Sequence, residues 1–301
     1  MNILKKFKVM EDLVKRAVDT FDNAKKKLQP ALSDFILCTA HMLQKRDFWI
    51  SSGMKTFILS KELIDAFQNT DVSWDLRPDD FKYPFDSFVI EGESPFFYTK
   101  SKDLDAPCPV YSIMFTRFEE MAKKHDLIID IHTGNPMTEI GSDYSINAFF
   151  SPGEDVLNEI FLNLNNGMTL KKASENVMIT PTNGEATDDD MSNLCNMLFN
   201  TVLYINDPSR DVASTQSIHS RKIKIDGKTC VKNQYIRLCP PKSYKPIYSG
   251  SGKTLNVKFI VRGHWRNQAC GKDHLDRKRM WIYPYWKGPE MSEIVNRKYK
   301  L

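Results

Sequence analysis

Apolar residues recur at Ile3, Phe7, Met10, Val14, Ala17, Phe21, Ala24 and Leu28, a 4-3-4-3 spacing that puts them on one face of a helix. Lysines and acids fill the other faces, and Pro30 is the expected stop. Such a stripe either packs on its own domain or joins two copies, giving a homodimer through residues 3–28. A second helix is expected through Ala31–Gln44 and a third through Lys61–Asn69, with Ser60 as its N-cap. Arg77-Pro78 and Tyr83-Pro84-Phe85 then lead, as extended chain, into a buried strand over Ser87–Glu91 that Gly92 closes. Further strands are expected at Val110–Phe115, at Leu127–Ile131 and ending at Phe149-Phe150.

Ser151-Pro152-Gly153-Glu154 has the form of a capping box, and Val156, Leu157, Ile160, Phe161 and Leu164 then supply a helical stripe ending near Asn166-Gly167. Thr187 with Asp188-Asp189-Asp190 opens another helix, lined by Met191, Leu194, Leu198, Val202 and Ile205 and followed by Pro208. Acids in a first turn are what the helix dipole favours, which weighs against reading the three aspartates as metal ligands. Residues 212–253 are polar and loop-rich and read as a linker or an excursion. Leu255, Val257, Phe259 and Val261 alternate with polar residues, and Met280–Trp286 is an aromatic strand that Pro284 places at an edge or bulge. These two strands are expected to pair around a long basic loop. The fold class is therefore α+β: mixed helices and a mostly antiparallel sheet, with a C-terminal basic-aromatic β-hairpin. The division expected is a recognition body at 1–211, the linker at 212–253, and a hairpin region at 254–301 packed on the body.

Composition narrows the class. With 41% hydrophobic and 27% charged residues in 301, the chain can bury a sizeable core and is not a disordered one. No apolar run reaches the roughly 18–20 residues that span a bilayer, and the opening MNILKKFKVMEDLVKR lacks a secretory apolar stretch. Cysteines at 38, 108, 195, 230, 239 and 270 form no C-x-x-C pair, which fits reduced thiols and a cytoplasmic location. The net charge of +4 conceals an asymmetry: residues 216–301 hold 20 Lys+Arg against 5 Asp+Glu, and the rest hold 22 against 33. One end is thus +15 and the remainder −11. An anionic partner for the basic end explains this, as does mutual neutralisation across an internal interface.

Candidate chemistry concentrates in that end. Gly252-Lys253-Thr254 resembles the tail of a phosphate-binding loop, but Ile247 stands where the first glycine is required and a strand pattern follows. His264, Trp265, Arg266, Lys272, Arg277, Lys278, Arg279 and Trp281 interleave cations with rings. Guanidinium groups grip phosphates and rings stack on exposed bases, so this set suits nucleic acid or a ribosome surface. It also suits an acidic peptide, or cation–π packing of the hairpin on the body. His219, His264 and His274 among cations would be the acid–base groups of a metal-independent ribonuclease. Cys230, Cys239, Cys270 and His274 lack the spacing of a usual zinc site, and Asp130-Ile131-His132 near Asp143 reads either as catalytic groups or, the simpler reading, as a polar strand end. No catalytic residue, metal or cofactor is assigned.

The run Arg262-Gly263-His264-Trp265-Arg266-Asn267-Gln268, then Gly271, Arg277-Lys278-Arg279-Met280-Trp281-Ile282 and Pro284-Tyr285-Trp286-Lys287-Gly288, resembles the C-terminal signature of a phage- and plasmid-borne family. That family includes type V-A anti-CRISPR proteins of the A2 kind. Pro84–Glu91, the helix around Ser151–Leu164 and the apolar helix at Leu194–Ile205 are similar in order and character. The resemblance implies a non-enzymatic protein of a mobile element that evades host defence from the host cytoplasm. It would recognise a target polypeptide as it is translated and lower its expression, with loss of the encoding mRNA. The target peptide would lie beside the Phe88–Glu91 strand, touching Phe88, Ile90 and Glu91, while the hairpin meets RNA or ribosome. Rival readings are a ribonuclease, or a stoichiometric inhibitor that occludes a defence enzyme.

Overall fold

Alternation of apolar side chains along the central strands builds one large sheet covered on both faces. The computed structural model describes residues 7–8, 10–12, 14–16, 30–72, 75–99, 107–124, 144–150, 158–165, 167–173, 178–180, 187–207, 215–225, 228–240 and 259–287. The expected strand at Leu127–Ile131, with Asp130, His132 and Asp143, lies outside them, as do Ser151–Glu154 and Leu255–Val257.

The strands are β1 (Lys55–Leu59), β2 (Ser87–Gly92), β3 (Phe97–Thr99), β4 (Cys108–Arg117), β5 (Tyr144–Phe150), β6 (Asn158–Leu164), β7 (Met178–Thr180), β8 (Thr215–Ile225) and β9 (Lys228–Leu238). They form a nine-stranded sheet in the order β7-β6-β5-β4-β2-β1-β9-β8, with β3 also paired to β4. Only β1 runs parallel to its neighbours, Phe57 lying opposite Ile90 of β2 and Ile236 of β9. The remaining pairs are antiparallel, as between Phe88 and Phe115 or Ile146 and Leu162. The class expected from sequence, α+β with a mostly antiparallel sheet, is the class observed.

The period-two pattern sorts the side chains. Phe57, Leu59, Phe88, Ile90, Ile113, Phe115, Ile146 and Ala148 pack on one face, against α2 (Lys61–Gln68), Leu170 of the short α4 (Leu170–Ala173) and α5 (Asp188–Asn206). Val89, Met114 and Phe149 point to the other face and meet Met42 and Trp49 of α1 (Pro30–Ser51), along with Phe7 and Met10. The described part of residues 7–16 is helical, and Phe7 and Met10 are buried within the same chain. Arg46 of α1 bonds Glu11 at 3.0 Å and so ties the two helices. The stripe in these residues therefore serves its own domain. No helix among the described residues is long and apolar enough to cross a membrane.

Caps set the helix starts. Ser60 accepts from the Leu63 amide, and Thr187 and Asp190 bond each other's backbone in a capping box. The Asp190 carboxylate is thereby used by the helix. Burial pushes the thiol of Cys195, inside α5, up to about 12, which keeps it protonated and inert.

Three expectations are corrected. A helix is predicted over 151–164, yet Asn158–Leu164 is strand β6, because Ile160, Leu162 and Leu164 also fit a period of two and β5 offers a partner ladder. Residues 212–253 are expected as a linker, yet β8 and β9 fall there and extend the sheet. Their polar sequence is that of an edge strand, β8, and its neighbour. The second helix, expected over Ala31–Gln44, runs on to Ser51, because Phe48 and Trp49 continue its buried face into the core.

Beneath α1, His41 stacks on Phe118 of α3 (Phe118–Lys124) at 5.8 Å. Burial first, and the nearby Lys45 charge second, hold its imidazole well below the usual histidine range. The unfolded chain therefore binds the extra proton first, and stability falls as pH drops below about 6.5, by at most about 1.4 kcal/mol per pH unit from this group. Urea denaturation at pH 7.5 and 5.5 should show the loss in the native chain and a shallower one in His41→Leu. An equal loss in both would remove His41 as its source.

Candidate nucleic-acid interface

The C-terminal region contains two successive antiparallel ladders, not one hairpin with a loose loop. β10 (Phe259–Val261) pairs with β13 (Tyr285–Lys287), Ile260 opposite Trp286. Inside that pair, β11 (His264–Cys270) and β12 (Asp276–Ile282) form a second ladder, from His264 opposite Ile282 to Cys270 opposite Asp276. The segment expected as a basic loop is therefore itself a two-stranded arm. Arg266, Arg277, Lys278 and Arg279 sit at fixed strand positions, and Lys272 lies in the turn between the strands.

The base of the arm is locked to the body. The Gly263 amide donates to the Asn69 carbonyl at 2.8 Å, at the C-terminal end of α2. The Trp281 indole donates to Thr70 Oγ1 at 3.2 Å, and the Trp265 indole donates to Asn200 Oδ1 at 2.8 Å. Asn200 is fully buried in α5, and its amide nitrogen donates to the Thr70 carbonyl at 3.0 Å. Arg262 closes the side with an ion pair to Asp71 at 2.7 Å. The two indoles stack at 5.9 Å, and Trp281 also packs on Phe67, Tyr204 and Tyr283. A Cβ on Gly263 would lie 2.3 Å from Thr70 Oγ1, so only glycine permits this approach.

The expected contact residues thus divide. Trp281 is buried and Trp265 half-buried; the Trp281 indole N–H is taken by Thr70 and that of Trp265 by Asn200. His264, Arg266, Lys272 and Arg277 are exposed, and Lys278 and Arg279 half-exposed. Cross-strand register puts Arg279 and Arg277 on the Trp265–Trp281 face and Arg266 and Lys278 on the opposite one. Among the described residues, no ion pair is formed by Arg266, Lys272, Arg277, Lys278, Arg279 or Lys287. The acids in the same stretch are Asp273 and Asp276. Positive charge without an internal counter-charge is what an anionic ligand requires.

The residues expected to touch a peptide sit elsewhere. Phe88 and Ile90 are fully buried, and β2 is paired along both edges, so neither side chain faces a partner. Glu91 is half-buried, and burial pushes its carboxyl above the ordinary range. The concavity lies just before β2: a cavity of about 590 Å³ lined by Lys82, Tyr83, Phe85, Asp86, Arg117 and Tyr144, among others. Tyr83 stacks on Phe115 at 4.3 Å to form its wall. Phe81 and Lys82 also line a second cavity of about 290 Å³, together with Trp265 and Arg279. The two hollows therefore flank one short segment, between the sheet and the base of the arm.

Sequence reasoning missed Thr70, Asn200, Arg117 and Tyr144. Asn200 carried a signal, being a polar residue inside the apolar stretch of α5. His264 and His274 stand at opposite ends of the β11 ladder, about 20 Å apart at the usual strand rise, which is too far for a shared proton-transfer step. Among the described residues, no group of three His, Cys, Asp or Glu is placed to hold a metal ion.

Comparison with known families matches residues 57–289, or 233 of 301, to the AcrVA2-like family, described as the anti-CRISPR type V subtype A2 family. The match takes in both the central sheet and the arm. No curated protein matches the chain.

Proposed function

The chain belongs to the AcrVA2-like, anti-CRISPR type V subtype A2 family, and from that premise we propose that it lowers expression of a host defence effector during translation. The body selects the effector polypeptide as it emerges, and the arm holds the protein on the RNA of the translating ribosome. The protein acts in the host cytoplasm and performs no chemistry of its own. One observation carries this reading: Arg266, Arg277, Lys278, Arg279 and Lys287 on the strands, and Lys272 in the tip turn, are exposed or half-exposed and make no ion pair among the described residues.

The aromatic cavity before β2 supports the first half of the mechanism. Its Tyr83, Phe85 and Tyr144 rings suit an apolar anchor of an extended peptide, while Arg117, Lys82 and Asp86 at the same cavity suit its polar groups. The buried Trp281 indole refines the second half. Phosphate contact by cations carries the affinity, and base stacking on Trp281 has no part in it.

Co-sedimentation with polysomes tests the proposal. Arg266→Glu with Lys278→Glu reverses two charges on one face of the arm and touches no core residue. The pair should weaken polysome association by more than about tenfold, and raised salt should weaken the native chain in the same way. Unchanged sedimentation would overturn the RNA contact. A stoichiometric inhibitor would instead hold the mature effector in a salt-tolerant complex and leave its mRNA intact.

A further inference from the structure

We propose that the tip of the arm is an apolar wedge, Leu275 inserting between neighbouring bases of an RNA stem while the cations of β11 and β12 hold the flanking phosphates. This rests on the reading that the arm meets RNA, and it adds what the tip does there.

Leu275 is 82% exposed, and Tyr98 at 55% is the other large apolar residue so exposed among the described residues. Among the described residues the other large apolar side chains are mostly turned from water, and this leucine stands at the end of a cationic arm. Its backbone setting is equally unusual. Gly271, Asp273 and His274 have φ of 76°, 59° and 57°, so two non-glycine residues occupy the left-handed region in one turn. Such conformations persist where the surroundings impose them, and they gather at functional positions. The surroundings here are visible. Lys272–His274 forms a 3-10 turn closed by the Leu275 amide on the Lys272 carbonyl. The Asp276 carboxylate folds over Gly271, where a Cβ would lie 2.2 Å from Oδ2. Leu275 is therefore presented by a built turn.

The arm has the dimensions for this task. Seven residue pairs give a ribbon about 20–23 Å long whose strands lie about 4.8 Å apart. Apolar side chains entering a base step, flanked by cations on the backbone, are a known way for proteins to open a stack, and bulged or looped RNA yields most readily. Lys272 and Arg277 bracket Leu275 in sequence, and both are exposed. Asp276 is turned onto Gly271. A protein pocket would also accept a leucine, but the surplus of cations over acids along the ribbon favours a polyanion.

The test uses the full chain and a panel of stem-loop RNAs, each with 2-aminopurine beside a bulge. Binding is read by anisotropy and unstacking by 2-aminopurine fluorescence in the same sample. The native chain should bind and raise fluorescence severalfold. Leu275→Ser, an exposed position, should bind within about threefold of it and lose most of that rise, because phosphate contacts supply most of the affinity. Binding of the native chain without a rise in fluorescence overturns the wedge and leaves the RNA reading standing. So does a Leu275→Ser variant that keeps the rise. No binding to any RNA overturns both. Normal RNA unstacking by Leu275→Ser, with loss of polysome association, would assign the tip to a protein pocket and overturn the wedge.

Discussion

Trp281→Ala should lower the unfolding free energy by about 3–5 kcal/mol, the usual loss when a buried tryptophan is truncated. Trp281 is 4% exposed and meets Phe67 at 4.9 Å, Tyr283 at 4.3 Å and Tyr204 at 5.5 Å. Its indole N–H donates to Thr70 Oγ1 at 3.2 Å. Truncation empties the space beneath the arm and leaves that hydroxyl without its donor. Trp281→Phe keeps most of the packing and forfeits mainly the hydrogen bond, so its cost should be nearer about 1–2 kcal/mol. Urea denaturation of both variants checks the ranking. A loss below about 1 kcal/mol for Trp281→Ala would mean that the arm is not docked on α2 and α5 as described. Loss of activity in Trp281→Ala is therefore no sign that the ring touches RNA.

Gly263→Ala should cost about 2–4 kcal/mol, although it adds one methyl group. The new carbon would meet Thr70 Oγ1 at 2.3 Å, Pro284 Cδ at 2.8 Å and the Ile282 carbonyl oxygen at 3.1 Å. Two of these neighbours are ring or backbone and cannot swing aside. Moving the arm off the body relieves the Thr70 contact, and the Pro284 and Ile282 contacts yield only if the arm's own strands also shift against each other. That movement breaks the Gly263–Asn69 bond and disturbs both indole donors. Thr70→Ala removes the nearest obstacle. The double variant should therefore lose less than the sum of the single losses, as contacting residues do. Strict additivity in thermal or urea unfolding would show that the Gly263 approach is not what limits the site. Because arm docking precedes any contact by the arm, Gly263→Ala should also depress polysome association, whereas exposed-face reversals such as Arg266→Glu should leave stability unchanged within about 0.5 kcal/mol.

The signature at 262–288 mixes two kinds of residue that sequence does not separate. Arg262, Gly263, Trp265 and Trp281 anchor the arm, whereas His264, Arg266 and Lys272 face outward. Composition identifies the arm as basic and aromatic, and the aromatic half suggests stacking platforms. In the fold the rings turn inward, because Phe67, Tyr204 and Asn200 offer them apolar contact and a buried acceptor. The cations turn outward, since a charge left unpaired in the interior would cost far more than the rings gain. The expected peptide site fails for a related reason. Phe88 and Ile90 read as apolar residues on a strand, but nothing local states that β1 and β4 would flank that strand on both sides.

Sequence by itself determined the α+β class, the capped starts at Ser60 and Thr187, the strands at Ser87–Glu91 and Val110–Phe115, and the cationic C-terminal end. Each depends on neighbours within a few positions, where periodicity, capping and charge act directly. Only the tertiary structure decided that residues 158–164 are a strand, that the polar stretch 215–238 joins the sheet, and which face of the arm meets water. Periodicity fixes which side chains share a face. Which face is covered depends on partners brought from far along the chain, and the free energy of that covering outweighs local preference.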